Sequence, residues 1–271
     1  MPHVAIKGHQ LFYEDRGNGF PLLFGHSYLW DGAMWEPQVS ALSAHYRCIV
    51  PDLWGHGRSD PPPQIPYSIE ALAEDFWTLT QLLGMERFAV VGLSVGGMWG
   101  IQLALSHPEA VAALVVMDSY VGSEPEENRL RYFGMMDLVE KAGMIPPPIR
   151  EAVLPLFFSP VTLQQNPDLP ARFQSALASI PAERIPGILT IGRAIFGRSS
   201  LLEQLPGLKV PTLIIVGADD RSRPPHEAEE MARRIPGARL EIIPQAGHIS
   251  NLEQPERVTA LIRDFLKATV G

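Results

Sequence analysis

Apolar residues arrive in this chain in two rhythms. Short apolar runs occur at Leu22 to Phe24, Tyr46 to Val50, Phe88 to Val91, Val111 to Met117, Thr212 to Val216 and Arg239 to Ile243. A short β-branched run without alternation suits a strand buried on both faces. Between these runs the spacing becomes helical, at Met34 to Ala44, Ser68 to Leu83, Gly97 to Leu105, His226 to Ile235 and Pro255 to Ala268. Ser68 is placed to cap its helix and Gly84 to end it. The Gly97 helix stops at His107, because a residue before proline avoids the helical region. At the N-terminus, residues 3–16 read as two short strands with a turn near Gly8 and His9, followed by a turn-rich loop to Pro21. Strands and helices alternating at this spacing predict an α/β fold, with a mostly parallel central sheet flanked by helices.

The alternation breaks near Ser119. From there to about Leu205 no strand is convincing, and prolines at 146–148, 155, 160, 167, 170, 181 and 186 punctuate a helical, Met- and Phe-rich segment. This predicts a core of residues 1–119 and 206–271, with residues 120–205 as a helical cap insertion rather than an independent domain.

Composition narrows the class. The chain has 271 residues, 46% hydrophobic and 19% charged, with a net charge of −8. That is globular, and its acidity makes nucleic acid and anionic membrane poor partners. The one cysteine, Cys48, lies in an apolar run and reads as a small buried hydrophobe, so no disulfide forms within the chain. The N-terminus has no signal-peptide pattern, and no apolar stretch approaches membrane-spanning length. A soluble, cytoplasmic protein is expected, either monomer or homodimer.

The stretch that carries chemistry is Gly92-Leu93-Ser94-Val95-Gly96, between the Phe88 strand and the Gly97 helix. A sharp strand-to-helix turn forces strained angles and close packing, which glycine tolerates. A serine at that turn projects its hydroxyl beside a helix N-terminus, where N–H groups and the helix dipole favour negative charge. Acyl transfer needs that pairing of nucleophile and anion site. By itself Gly-x-Ser-x-Gly is a weak signal; its placement makes it a strong one.

A serine hydroxyl needs a base, and the base an orienting acid. In an α/β sheet these come from loops at the carboxyl ends of strands. Gln245 to His248 follows the last strand, and Gly217 to Asp220 the one before it. His248 is the candidate base. Its seven competitors, His3, His9, His26, His45, His56, His107 and His226, all have ordinary structural readings. Asp220 is the first candidate acid and Asp219 the second. Asp118, at an earlier strand end, is third and is better placed to support a loop. His26, Asp52, His56 and Asp60 lie in post-strand loops, but their spacing matches no metal signature. The chemistry calls for no metal and no cofactor.

At these residues the sequence resembles the α/β-hydrolase superfamily along essentially its whole length. The matching features are the elbow at 92–96, Pro51 to Ser59, Gly217 to Asp220, and Gly247-His248 followed by Asn251 to Pro255. The elbow and Asp31 to Trp35 look like small bacterial carboxylesterases and enol-lactonases. The cap is the least diagnostic part of the match; the resemblance places the family acid on Asp220 and implies an oxyanion hole from the backbone N–H groups of Val95 and Tyr28. The family loop before the second donor usually reads His-Gly-x, whereas here Ser27 replaces the glycine. Dehalogenases and epoxide hydrolases of this fold carry aspartate at the elbow, so Ser94 sets the chain apart from them.

The leading expectation is therefore a serine hydrolase of small esters or lactones, working through an acyl-enzyme on Ser94, His248 and Asp220. Two readings compete. One is a ligand receptor that keeps the triad but signals by cap movement. The other is carbon–carbon bond hydrolysis or perhydrolysis with the same triad. The cap carries eight Lys and Arg against nine Asp and Glu, so no strong positive field is expected above Ser94. Its apolar residues predict a preference for short, uncharged acyl or aryl groups.

Overall fold

The computed structural model describes residues 2–270. The strands are β1 (His3–Ile6), β2 (His9–Arg16), β3 (Phe20–Gly25), β4 (Tyr46–Pro51), β5 (Phe88–Leu93), β6 (Val111–Met117), β7 (Thr212–Gly217) and β8 (Arg239–Ile243). They form one sheet in the order β1-β2-β4-β3-β5-β6-β7-β8. β2 pairs antiparallel with β1 and β4, and all other pairs are parallel. Every residue of β5 and β7 is buried, as an unpatterned apolar run requires, while the edge strand β8 is half-exposed. Because the register is parallel from β3 to β8, the carboxyl ends of those strands open on one edge of the sheet.

The helices are α1 (Glu36–Leu42), α2 (Ile69–Leu82), α3 (Val95–Ser106), α4 (Glu126–Ala142), α5 (Pro147–Phe157), α6 (Pro160–Gln165), α7 (Asp168–Ala178), α8 (Ile185–Phe196), α9 (Pro225–Arg234), α10 (Ser250–Glu253) and α11 (Pro255–Thr269). Ser68 caps α2 as expected, its Oγ accepting from Ala71 N at 3.1 Å. One expectation changes. The single helix read over 34–44 is a 3-10 turn at Gly32–Trp35 followed by α1. Pro37 has no N–H and its ring crowds the carbonyl four residues back, so the α-helix begins at Glu36 with Pro37 in its first turn.

Successive strand residues point to opposite faces, and each face has its own core. Leu23, Val90, Leu114, Ile214 and Val216 pack with α2, α3 and α9. Leu22, Phe24, Val91, Val115 and Ile215 pack with α1 and α11. Cys48 belongs to the second core, and burial pushes its thiol up to about 12. That second core continues into Met136, Phe157, Phe173 and Leu189 of α4, α5, α7 and α8. These helices lie between β6 and β7, where no strand interrupts them among the described residues. Prolines sit in the first turns of α5, α6 and α8, where a missing N–H costs no helix bond. Among the described residues, no helix is long and apolar enough to cross a membrane.

Gly134 lies mid-way along α4 on its exposed side, and a Cβ there would meet nothing within 4 Å. Glycine in a helix interior costs about 0.5–1 kcal/mol relative to alanine. Gly134→Ala is expected to stabilise the fold by that amount. An unchanged or lower urea midpoint would count against α4 as a regular solvent-facing helix.

Candidate active site

Ser94 joins β5 to α3 with φ 57° and ψ −117°. A non-glycine residue at positive φ is strained by about 1–3 kcal/mol and persists only where its surroundings hold it. Here Ser94 N donates to Met117 O at 2.8 Å. Ser94 O accepts from Gly97 N at 2.9 Å and Ser119 Oγ at 2.7 Å. Sterics complete the grip. A Cβ on Gly92 would be driven into the Gly96 carbonyl, and a Cβ on Gly96 into the Gly25 carbonyl. The Ser94 side chain makes no capping bond to α3, so its hydroxyl is not engaged by the helix it precedes.

Ser94, Asp118, Asp220 and His248 follow β5, β6, β7 and β8, four consecutive parallel strands. The structure brings two of them into direct contact. His248 Nδ1 lies 2.8 Å from Asp220 Oδ2, with both residues buried. The other oxygen, Oδ1, accepts from Ser222 N and Arg223 N, each at 2.8 Å. A carboxylate so held is an acceptor, so Nδ1 carries the proton and Nε2 is left as the basic nitrogen. The Phe157 ring packs edge-on against the imidazole at 5.6 Å.

The remaining acids and histidines fall elsewhere. Asp219 is half-buried and bonds to His248 through neither oxygen. Asp118 is fully buried at φ 47°. It accepts from Gly217 N at 2.8 Å and from Ser250 Oγ at 2.5 Å, so it joins the acid strand to the base loop. Burial, then the charge of Asp220, pushes its carboxyl well above the usual range. His26 Nε2 accepts from Leu53 N at 2.8 Å, and His56 Nδ1 donates to Trp54 O at 2.9 Å. Burial lowers both imidazoles, His56 to about 3, which makes them neutral loop ties. Asp52 accepts from the Gly32 and Arg58 amides, and Asp60 from Gln10 N. Among the described residues, no three His, Cys, Asp or Glu side chains cluster closely enough to hold a metal ion.

The backbone N–H groups of Val95 and Tyr28 have no acceptor among the described residues. Ser27 keeps a negative φ, so the loop does not need the glycine it lacks. Its carbonyl accepts from Trp30 N at 3.2 Å, and its amide donates to Met34 Sδ at 3.3 Å.

Two spaces open between the cap helices and the strand-end loops. An apolar cavity of about 90 Å³ is lined by Tyr28, Met136, Val153, Phe157, Leu189, Phe196 and Ser222, among others. A wider cleft of about 570 Å³ runs between the loops after β3 and β4 and helices α7 and α8, with Trp30, His56, Arg172 and Arg184 in its walls. Leu29 and Ile188 line both spaces. Ser94 and His248 line neither; the cavity reaches the histidine–aspartate pair through Phe157, which packs on His248, and Ser222, whose amide bonds Asp220. Sequence reasoning missed Phe157, Glu253 and Arg223 as parts of this site. Glu253 had a signal, since it belongs to the Asn251–Pro255 stretch. It accepts from Gly247 N at 2.7 Å and Ser159 N at 2.9 Å, tying the base loop to α6.

A parallel sheet with a serine elbow and a histidine–aspartate pair at its carboxyl edge defines a class, and the chain belongs to it. A family model described as the α/β-hydrolase fold matches residues 20–255. Relatives agree. A putative carbamate hydrolase RutD from Caulobacter sp. (strain K31) is 30% identical over 238 residues, 87% of this chain and 86% of that protein. Among solved structures, a thermophilic esterase from Thermogutta terrifontis superposes with a TM-score of 0.89 at 32% identity, covering 99% of both chains. The enol-lactonase from Burkholderia xenovorans LB400 gives 0.88 at 30% identity, covering 98% of this chain and all of that one (100%).

The contact pattern ranks the three acids. Asp220→Asn is expected to lower kcat on a chromogenic ester by about 10⁴-fold, because an amide favours the wrong imidazole tautomer. Asp219→Asn should stay within about tenfold of wild type, since it loses no contact to His248. A larger loss at 219 than at 220 would move the acid by one residue.

Proposed function

We propose that this α/β hydrolase is a serine hydrolase of small carboxylic esters or lactones. Ser94 Oγ attacks the substrate carbonyl while His248 Nε2 takes its proton. Asp220 orients the imidazole and stabilises the cation that forms. The N–H groups of Val95 and Tyr28 hold the oxyanion, assisted by the positive end of α3. His248 then returns its proton to the leaving alcohol, and water attacks the acyl-enzyme with His248 as base. The observation that carries this reading is the buried Asp220–His248 bond, on the same sheet edge as a serine held in a strained turn.

The apolar cavity supports a short acyl group. At about 90 Å³ it is smaller than the roughly 150 Å³ cavity that accommodates benzene. Its lining is methionine, aliphatic and aromatic, with Tyr28, Tyr132 and Ser222 as its polar members. The esterase and enol-lactonase among the relatives fit the same reaction class.

Ser94→Ala is expected to abolish fluorophosphonate labelling and lower ester turnover by about 10⁶-fold with the fold intact. Residual activity within tenfold of wild type would remove Ser94 from the mechanism. A p-nitrophenyl panel tests the acyl pocket. Specificity constants should fall from the short acyl chains toward palmitate, and a steady rise over that range would refute the short-acyl reading.

A further inference from the structure

Four charged side chains meet in the interior between the cap and the acid loop. Glu124 lies on the segment that enters the cap after β6, and Arg198 on the segment that leaves it after α8. Arg223 follows Asp220 by three residues, and Glu227 sits in the first turn of α9. Arg223 Nη2 donates to Glu124 Oε2 at 2.6 Å, and Arg198 Nη1 reaches the same oxygen at 3.2 Å. Arg223 Nη1 makes an ion pair with Glu227 Oε2 at 3.5 Å. The side chains of Glu124 and Arg223 are 1% and 3% exposed, so water does little to screen them.

The hydrogen bonds divide the loop after β7 into two parts. Ala218 N and Asp219 N donate to Ile243 O and Ala246 O, and Asp220 N to Gly217 O, so the first half is fixed on the base loop. The second half does the fixing. Ser222 N and Arg223 N both donate to Asp220 Oδ1. The Arg223 guanidinium anchors that second half, on a glutamate of the cap neck. The neck is itself closed by Leu201 N donating to Val121 O at 2.9 Å.

We propose that Arg223 is a positioning residue for Asp220. Its guanidinium, seated on Glu124, locks the loop that aims the carboxylate at His248 to the two chain segments that carry the cap. The fork geometry matters, because Arg223 spans Glu124 and Glu227 at once and a lysine ammonium offers one point of charge. Burial, together with the neighbouring Arg223, lowers Arg198 to about 10, so both arginines remain cationic at neutral pH and Glu124 is needed between them. The effect on rate rests on the serine hydrolase reading of Ser94, His248 and Asp220; the effect on the Asp220–His248 bond does not.

The test uses the full chain and two readouts. One is kcat and KM on p-nitrophenyl acetate. The other is the downfield NMR resonance of the His248 Nδ1 proton, which needs no turnover. Arg223→Met and Glu124→Gln are expected to weaken or shift that resonance and to lower kcat about ten- to a hundredfold, with KM changed less than about threefold. Arg223→Lys should fall between wild type and Arg223→Met. A merely structural role would lower the melting temperature and leave the resonance and kcat untouched, and that result overturns the proposal. Should Arg223→Met fail to fold, Arg223→Lys decides by the same two readouts: loss in both supports the lock, and full retention of both overturns it. If wild type hydrolyses no ester and takes no fluorophosphonate while the resonance still responds to Arg223, the hydrolase reading fails and the lock stands.

Discussion

The closeness of three glycine backbones governs the architecture. Gly25 at the end of β3 and Gly92 near the end of β5 are register partners, and Gly96 in the first turn of α3 rests on both. A Cβ on Gly25 would come within 2.8 Å of the Gly96 Cα and 2.5 Å of the Trp99 ring. With side chains at these positions, α3 would have to stand off from the sheet. Instead it begins directly after β5, and the reversal is completed within Ser94. The strain at that residue is held by bonds from one neighbouring segment, the end of β6, at Met117 and Ser119. The same closeness sets the electrostatics. The first amides of α3 end up beside the serine, and a helix start is where anionic charge is favoured.

A second set of contacts is polar and buried, and its members share one pattern. Asp118 links the acid strand to the base loop, Glu253 links the base loop to the cap, and Glu124 with Arg223 links the cap to the acid loop. Each joins segments distant in sequence at the carboxyl edge of the sheet, where irregular backbone must hold chemical groups in place. Buried ion pairs add little net stability against apolar packing, yet breaking one costs about 3–5 kcal/mol. Packing alone does not fix loop orientation, because apolar contacts are non-directional. Directional bonds to main-chain amides do, and all these clamps except the Glu124 one end on such amides or a hydroxyl.

This division explains what was legible in the sequence. The strands, the sheet class and the helical insertion follow from local periodicity, which one stretch of chain displays by itself. The elbow was legible for the same reason, since glycine spacing and a strand-to-helix switch are local. His248 and Asp220 were legible because strand-end loops gather at one edge once the sheet is parallel. Arg223 and Glu124 were not. They stand 99 positions apart, and neither sits in a pattern that announces burial. The split at Gly32–Trp35 was within reach, because Pro37 forbids a continuous helix through 34–44. Ser27 carried the opposite lesson. It departs from the family glycine, but Ser27 has no positive φ for a glycine to serve.

Charge in the cap shows where counting ends and geometry begins. A near-neutral total of eight bases and nine acids implies no strong field over the site. The structure distributes those charges unevenly. Arg193 is matched by Asp137 and Glu140 on the outer face, and Arg198 is absorbed by Glu124. Arg172 and Arg184 instead face the wide cleft, where Asp31 is the acid in the lining, its Oδ1 accepting from Ala33 N. A field depends on which charges stay uncompensated and on the low-dielectric walls that focus them, not on the sum. The apolar cavity and this cleft meet at Leu29 and Ile188, so two adjoining spaces differ in their charge. Near neutrality of the whole cap is thus compatible with an uncharged, apolar cavity and a locally positive cleft adjoining it.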